Sequence, residues 1–353
     1  MKKLPFTNKN ACLITDELTG KYLTGLSLDE GYLILADEMT LLVDARYYSA
    51  TKTAYQNTGV NVKLFTCFKD LKEFLQSLNV QTLYLDFSKI TVKQFNEYKA
   101  FGFEIQDAEK YIIDARAVKS QTEIDNIVKA CEIAEKAYNK AMQQVRLGMT
   151  EIELKQIIEQ NIVNLGGQGA SFETIVAFGK NGAVPHHKTC NDRLSENMPI
   201  LVDMGAIFNG YMSDITRMAY FGTPTKKFLD CYSQVLLANQ LAIEKIKLGT
   251  KTNQADAFAR DSLKRANLDK YFTHSLGHGI GIEVHEFPAL SFRKEDELKE
   301  NMVFTIEPGV YIEPGVYIDG EFGIRIEDTV LLTKNGVKRL FTDSKELLIL
   351  PIK

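Results

Sequence analysis

Two runs of strand-forming residues flank the dipeptide Asn209-Gly210, which is the strongest short signal for a β-hairpin. The runs extend over 200–208 and 211–217 and are mostly apolar. A two-residue turn sets Phe208 opposite Tyr211, and the register of the hairpin then follows by counting outward. The sequence therefore specifies both the presence of this hairpin and the pairing of its strands.

The predicted register places two aspartates on one face of the hairpin. Gly205 faces Asp214, and because side chains alternate between faces, Asp203 lies diagonal to Asp214, roughly 7–8 Å away at the backbone. Gly205 is expected to leave the space between them open. Carboxylates at this separation could each reach one of two ions about 3.5–4 Å apart. The alternative is a solvated hairpin with two surface aspartates, but the apolar neighbours would make two unpaired carboxylates costly there.

A second hairpin is predicted from 302–307 to 323–328, and it carries a pair of glutamates. Glu307 ends an alternating run in the first strand, and Glu327 lies near the end of the second. The hexad Glu-Pro-Gly-Val-Tyr-Ile occurs twice in succession, so Glu313 competes with Glu307 as the ligand. We favour Glu307, and a loop insertion of even length would keep both glutamates on their predicted face.

His278, between the two hairpins, adds an imidazole to the four carboxylates. This hard, mostly oxygen ligand set suits a pair of Mn, Co or Zn ions better than a structural zinc, which prefers sulfur. Two divalent ions held in this way can activate water for attack on an amide. Hydrolysis is therefore the predicted chemistry.

Six motifs occur in order along the second part of the chain. They are Val-Asp-Met-Gly-Ala at 202–206, Ser-Asp-Ile-Thr-Arg at 213–217, His-Ser-Leu-Gly-His-Gly-Ile-Gly at 274–281, Val-His-Glu at 284–286, Phe-Thr-Ile-Glu-Pro-Gly at 304–309 and Arg-Ile-Glu-Asp at 325–328. Together they resemble the Xaa-Pro dipeptidase (prolidase) and aminopeptidase P family of pita-bread metallopeptidases. The resemblance is strong from about Val118 to the end and weak before it. The doubled hexad departs from the family spacing before Arg325.

The resemblance implies a role for each candidate ligand. Asp214 and Glu327 would bridge two divalent ions, with manganese favoured. Asp203 would bind one ion, and His278 with Glu307 would bind the other. Glu307 would also move a proton toward the leaving nitrogen.

The resemblance also implies roles for three further residues. His186 matches a family histidine on a loop that closes over the substrate, and His285 matches the residue that contacts the tetrahedral oxyanion. Arg325 is expected to brace a metal-binding carboxylate through a forked hydrogen bond. For His187 and His274, a purely structural role is equally compatible with the sequence.

Residues 1–117 predict a separate small α/β domain, which by resemblance is similar to the creatinase/prolidase N-terminal domain. Its predicted strands are 33–35, 41–43 and 83–85, and its predicted helices are 68–78 and 92–101. No phosphate loop or dinucleotide fingerprint follows these strands.

Residues 118–353 predict an α+β catalytic domain built from two similar halves. Capping boxes at Ser120 and Thr150 begin two helices before the first hairpin. Helices at 226–248 and 253–266 precede the second hairpin. Two helix-helix-hairpin halves fit a pita-bread fold with pseudo-twofold symmetry, in which the acidic pairs face each other.

Composition narrows the possible partners and the compartment. The net charge of −4 and the pI of about 5.9 argue against nucleic-acid binding. The five cysteines are scattered without a CxxC motif, which is typical of reduced thiols in a cytoplasm. The sequence shows no signal peptide and no run of about 20 apolar residues, so no membrane partner is expected.

The sequence thus predicts a cytoplasmic, binuclear metallopeptidase that cleaves Xaa-Pro dipeptides, with aminopeptidase P activity on longer Xaa-Pro-Yaa peptides as the close alternative. Methionine aminopeptidase and a non-catalytic binding module are weaker alternatives. Arg293 or Lys294 could bind the free carboxylate of a dipeptide, although a solvated charge cluster with Glu295 and Asp296 explains them equally well. A homodimer is expected, because the small N-terminal domain alone would expose apolar surface.

Overall fold

The computed structural model describes residues 4–25, 31–312 and 322–352. The chain forms two compact units, the first ending at Arg116 and the second beginning at Ala117. Among the helices in these described ranges, none has the length and apolar character needed to cross a membrane.

The first unit is a mixed six-stranded sheet with helices. Its strands are β1 Asn10–Ile14, β2 Gly31–Leu35, β3 Met39–Val43, β4 Val60–Leu64, β5 Thr82–Leu85 and β6 Glu104–Asp107, and its helices are α1 Glu17–Thr24, α2 Ala45–Ala54, α3 Phe68–Ser77, α4 Val92–Lys99 and α5 Glu109–Ala117. The strand order is β4-β3-β2-β1-β5-β6. Along β1, Cys12 and Ile14 enter one apolar cluster, whereas Ala11 and Leu13 enter another, so the sheet is buried on both faces. The predicted α/β class is confirmed.

Within its described residues, the second unit contains four long helices, two short 3₁₀ helices and the remaining strands. The helices are α6 Gln121–Met142, α7 Glu151–Asn164, α8 Lys226–Lys245 and α9 Thr252–Arg265, and the 3₁₀ helices are Gly179–Ala183 and Asp269–Tyr271. The strands are β7 Ile175–Phe178, β8 Met198–Met204, β9 Ile207–Phe208, β10 Tyr211–Met212, β11 Ile215–Phe221, β12 Gly277–Gly279, β13 Glu286–Leu290, β14 Val303–Ile306, β15 Gly309–Ile312, β16 Phe322–Arg325, β17 Asp328–Thr333, β18 Gly336–Arg339 and β19 Leu348–Leu350.

Both predicted capping boxes are present. The Ser120 hydroxyl accepts a bond from the Glu123 N–H, while the Glu123 carboxylate accepts one from the Ser120 N–H at 2.8 Å. Thr150 and Glu153 form the same reciprocal pair at the start of α7. These caps satisfy backbone donors that the helices cannot pair internally.

The unit has two halves of similar plan. Helices α6 and α7 precede a sheet of order β19-β11-β8-β7, and α8 and α9 precede a sheet of order β13-β12-β14-β17-β18. On β11, Ala219 packs in the apolar cluster of the first pair of helices, and its neighbour Tyr220 packs in the cluster of the second pair. The predicted pita-bread fold is confirmed.

The first hairpin has the register that the Asn-Gly turn predicts. Phe208 pairs with Tyr211 between β9 and β10, and Met204 pairs with Ile215 between β8 and β11. The two sets of pairs share one register and belong to the same hairpin, but the strand pairing is interrupted between them. Asp214 lies in this interruption.

The second hairpin is interrupted in the same manner. Ile306 pairs with Asp328 between β14 and β17, and Gly309 pairs with Arg325 between β15 and β16. The register is the same on both sides of the interruption, which contains Glu307 and Glu327. The alternative ligand Glu313 lies outside the described residues.

Candidate metal centre

The interruptions of the two hairpins border one cavity of about 400 Å³. Eight residues singled out from the sequence line it, namely His186, Asp203, Asp214, His278, His285, Glu307, Arg325 and Glu327. These residues come from widely separated parts of the chain, and the structure brings all of them together.

Three of the predicted ligands form a compact group. One ligand atom each from Asp214, His278 and Glu327 lies within 4.8 Å of the others. The His278 Nε2 atom is 3.7 Å from Asp214 Oδ2 and 3.3 Å from Glu307 Oε1. A cation bound between these side chains would offset the repulsion between their carboxylates and would bind the His278 nitrogen.

At the interruptions, the backbone N–H groups of both glutamates bond to segments outside their own hairpin. The N–H of Glu307 donates to the carbonyl of Leu276 at 2.8 Å, and the N–H of Glu327 donates to the carbonyl of Thr216 at 3.2 Å. The second of these bonds joins the second hairpin to β11 of the first. Leaving the hairpin ladder at these positions keeps the backbone donors satisfied while both side chains line the cavity.

Gly205 does not leave open space between the aspartates, so this part of the sequence interpretation is wrong. A Cβ atom on Gly205 would lie 1.9 Å from the Ser213 carbonyl oxygen and 2.1 Å from the Ser171 hydroxyl. Ser171 donates to that carbonyl at 2.8 Å. Glycine is required because the opposite strand of the hairpin, at Ser213, and a separate segment, at Ser171, both approach this position.

Two carboxylate oxygens of the site lack a partner within the described part of the chain. They are Oδ1 of Asp203 and Oδ1 of Asp214, and both are buried. A buried, unpaired carboxylate oxygen is costly unless it is coordinated. These oxygens, together with two glutamates and one imidazole, fit a hard divalent cation.

Burial raises the pKa values of three carboxyl groups that line the cavity, those of Asp214, Glu307 and Glu327. Burial, followed by the charge of neighbouring carboxylates, raises the pKa values of Asp214 and Glu327 well above their usual range. Burial also raises the pKa of Glu307 to about 8, against the lowering effect of Arg325. Burial lowers the pKa of His278 to about 4, so its imidazole is neutral and able to bind a metal at physiological pH.

The metal-free protein is expected to lose stability as the pH rises from 6.5 to 8. Its raised carboxyl pKa values, including the value of about 8 for Glu307, mean that the folded chain retains protons that the unfolded chain has released. The lowered pKa of His278 changes the stability only between pH 6.5 and about 4, where the unfolded chain binds a proton that the folded chain does not. Melting temperatures measured in chelator should therefore decrease across this window. With saturating divalent metal the trend should reverse, because binding requires deprotonated ligands. A flat profile in chelator would contradict this electrostatic description.

Arg325 donates to four acceptors around the site, and the longest of these bonds runs from Nη1 to the carbonyl of Pro185 at 3.4 Å. It donates from Nη2 to Asp203 Oδ2 at 2.6 Å, from Nε to the Thr216 hydroxyl at 3.0 Å and from Nη1 to the Tyr311 hydroxyl at 2.7 Å. Thr216 in turn donates to Glu327 at 2.7 Å. Arg325 thus orients Asp203 through one donor, not through the forked hydrogen bond that the sequence predicts, and it orients Glu327 indirectly through Thr216.

Tyr311 and His274 extend this network. Because the Tyr311 hydroxyl accepts from Arg325, its own hydrogen is available to His274 Nε2, 2.9 Å away. His274 Nδ1 lies 2.8 Å from the Ser275 carbonyl and donates to it. Burial lowers the pKa of His274 to about 4, which keeps it neutral. The sequence left the role of His274 open and did not identify Tyr311.

His186 and His285 also border this cavity. The ring of His285 lies 4.2 Å from the ring of His278, and burial lowers its pKa. The turn before His285 is held by Glu286, whose carboxylate accepts bonds from the N–H groups of Ile282 and Glu283. Glu286 was not identified from the sequence, although it directly follows His285.

His187 has a structural partner. Its Nε2 atom lies 2.8 Å from Glu151, a fully buried carboxylate at the start of α7. Glu151 also accepts bonds from the N–H groups of Phe178 and Cys190. Glu151, His187 and Cys190 lie close enough to hold a metal. However, the bonds to Glu151 already account for its burial, and they fix the segment that carries His186.

Arg293 does not join the other predicted residues. It is exposed, lies outside the residues that line the cavity, and stacks on Phe292 at 5.0 Å. Lys294 is exposed as well.

Two family models match the chain. The model of metallopeptidase family M24 matches residues 125–334, and that of the creatinase/prolidase N-terminal domain matches residues 8–118. The Xaa-Pro dipeptidase of Pyrococcus furiosus is 39% identical, covering 93% of this chain and 92% of its own.

The solved structures of similar fold include one named as an aminopeptidase and one named as a dipeptidase. The X-Pro aminopeptidase from Thermotoga maritima has a TM-score of 0.88 at 33% identity, covering 97% of this chain and 98% of that chain. The Xaa-Pro dipeptidase from Bacillus anthracis has a TM-score of 0.91 at 30% identity, covering 97% and 95%.

Proposed function

This chain belongs to metallopeptidase family M24, and from that premise we propose that it hydrolyses the bond between an N-terminal residue and proline in Xaa-Pro dipeptides. One observation supports the proposal most strongly. Four carboxylates and a neutral imidazole converge on one cavity, and two of their buried oxygens have no partner among the described residues.

The same site is proposed to hold two divalent cations. Asp214 and Glu327 would contact both, Asp203 would contact one, and His278 with Glu307 would contact the other. Manganese suits the predominance of oxygen ligands, with cobalt or zinc as alternatives. When bound, the cations supply electrophilic polarisation of the peptide carbonyl and activation of water.

The side chains of the chain itself handle the proton and orient the substrate. Glu307 is positioned to hold a proton and deliver it to the departing nitrogen, and burial raises its pKa toward neutrality before metal binds. His285 is proposed to donate to the oxygen that becomes negative, and His186 to contact the bound peptide. Arg325 positions Asp203.

Recognition of proline is proposed to depend on shape. The bond before proline is a tertiary amide without an N–H, so no acceptor in the site can select it. Apolar side chains line part of the cavity and offer a surface for the proline ring, namely Phe172, Ile175, Val284 and Ala289.

Aminopeptidase activity on Xaa-Pro-Yaa is the second candidate. It is supported by the small number of positive charges around the cavity. Among the described residues that line the cavity, Arg325 is the one arginine or lysine, and it is paired with Asp203. The free carboxylate of a dipeptide would have to be met by His186, by His285 or by Arg293, which lies outside the lining. A longer peptide presents no carboxylate at this position.

Matched substrates separate the two activities. We expect kcat/KM for an Xaa-Pro dipeptide to exceed that for the corresponding Xaa-Pro-Yaa tripeptide about 10-fold or more, the usual size of one charge-assisted hydrogen bond. Arg293→Met should raise KM for the dipeptide and leave the tripeptide unaffected, with Arg146→Met as the control for loss of an exposed arginine. Preference for the tripeptide would assign the chain as an aminopeptidase, and cleavage of Met-Ala-Yaa without proline would contradict both assignments.

A homodimer and a cytoplasmic location remain predictions from the sequence. Light scattering of the purified full-length chain tests the first, since a dimer doubles the mass of 39.8 kDa.

A further inference from the structure

We propose that Asn239, on helix α8, is a positioning residue that sets the location of both glutamate ligands, Glu307 and Glu327. The inference rests on the proposed metal-binding role of these glutamates. It concerns a residue that does not line the cavity and that no local sequence pattern singles out.

The side-chain amide of Asn239 contacts the backbone immediately before each glutamate. Asn239 is fully buried, and its Nδ2 atom donates to the carbonyl of Ile306 at 2.9 Å and to the carbonyl of Ile326 at 3.1 Å. A primary amide has two hydrogens, and each is used once. One nitrogen atom therefore joins the two strands of the second hairpin.

The peptide plane transmits this constraint to the glutamates. The carbonyl of Ile306 and the Cα atom of Glu307 belong to the same planar peptide unit, as do the carbonyl of Ile326 and the Cα atom of Glu327. Fixing both oxygens against Asn239 fixes the origins of both side chains relative to each other.

The bonds are needed because the ladder is interrupted at this point. Cross-strand pairing stops after Ile306 and Asp328 and resumes at Gly309 and Arg325. The glutamate N–H groups donate to Leu276 and Thr216 instead of across the hairpin. Buried carbonyls next to such a gap require another donor, and the Asn239 amide supplies it.

Lys345 fixes the orientation of the amide. Its ammonium donates to Asn239 Oδ1 and, at 2.9 Å, to Asp328 Oδ2. A cation at the oxygen end leaves only the Nδ2 end to face the two carbonyls. Asp328 directly follows Glu327, so the contacts from Asn239 and Lys345 bracket that ligand on both sides.

The decisive variant is Asn239→Asp, which keeps the shape and the acceptor for Lys345 but turns an oxygen toward two carbonyl oxygens. We expect the affinity of the folded full-length chain for Mn²⁺ to fall about 10- to 100-fold, the usual effect of losing a partner that orients metal ligands. Titration calorimetry gives the affinity, and circular dichroism at the same temperature gives the folded fraction.

Asn161→Asp is the matched control. Asn161 lies on α7 of the other half and donates from Nδ2 to the carbonyl of Ala137 at 3.4 Å, with no glutamate ligand following that carbonyl. Its substitution should leave the Mn²⁺ affinity unchanged.

Each outcome is decisive. If Asn239→Asp is folded and binds Mn²⁺ as tightly as the wild type, the inference is wrong. If Asn239→Asp does not fold, Asn239→Ser decides, because a hydroxyl reaches at most one carbonyl and should weaken binding in the same direction. If the wild-type chain itself binds no Mn²⁺, the proposed function fails, which is a different result from equal binding by wild type and variant.

Discussion

Replacement of Glu327 by glutamine is expected to abolish hydrolysis and, in the absence of metal, to raise the melting temperature. Glu327 is buried beside Asp214 and Glu307, and burial and neighbouring carboxylates raise its pKa well above the usual range. Glutamine keeps the shape and an acceptor for the Thr216 hydroxyl, and it removes the cost of keeping a carboxyl group at this position protonated while the unfolded chain releases the proton. Loss of the proposed bridging ligand should lower kcat/KM by about 10³-fold or more, which corresponds to several kcal/mol of lost metal assistance.

Thermal denaturation at pH 8 separates the two effects. In chelator, Glu327→Gln should melt a few degrees higher than the wild type, about the shift that 1 kcal/mol produces in a domain of this size. With Mn²⁺, the wild type should gain stability by mass action and the variant should gain much less. An active variant, or a variant that melts lower in chelator, would contradict the assignment.

Asp256→Asn provides the control for loss of a buried carboxylate. Asp256 is fully buried like Glu327, but it lies outside the cavity and is paired with Arg260 at 2.8 Å. Its substitution should lower the melting temperature in chelator and leave the shift caused by Mn²⁺ intact.

Substitution of Arg325 by methionine is expected to give the largest loss of folding stability, about 3–5 kcal/mol, the usual cost of removing one partner of a buried ion pair. Asp203 would lose its only charged partner among the described residues, and Thr216 and Tyr311 would each lose a donor. The remaining carboxylates would also lose the positive charge that moderates their repulsion.

Urea denaturation in chelator measures this loss. Arg325→Lys should be intermediate, because lysine keeps the charge but not the planar donors that reach four acceptors. Arg146→Met is the exposed control. Arg146 lies 3.8 Å from Glu153 at the surface, so its loss should cost less than about 1 kcal/mol. Equal stabilities for Arg325→Met and the wild type would contradict the role of Arg325.

The parts of the fold that the sequence predicts are those with local determinants. Asn209-Gly210 fixes its hairpin because the turn alone sets the register, and Met204 pairs with Ile215 as counted. The capping boxes at Ser120 and Thr150 begin their helices because each box is also local, formed by two residues three positions apart. The convergence of the acidic pairs followed from family resemblance, since no local pattern specifies which distant strands meet.

The residues that the sequence analysis did not identify make their contacts with residues far away in the sequence. Asn239 and Lys345 are ordinary residues of a helix and a C-terminal segment, and their roles exist only once the second hairpin packs against them. Tyr311 could have been noted because the hexad Glu-Pro-Gly-Val-Tyr-Ile carries it close after Glu307. The tight contact at Gly205 involves Ser213 of the opposite strand and also Ser171, which nothing in the hairpin sequence indicates.

Anomalous diffraction from crystals grown with manganese tests the central claim most directly. The proposed arrangement predicts two peaks about 3.5–4 Å apart in the cavity. Oxygens of Asp203, Asp214, Glu307 and Glu327 and the Nε2 atom of His278 should lie within coordination distance of these peaks. No peak in this cavity, or ordered manganese only beside Glu151, His187 and Cys190, would contradict it.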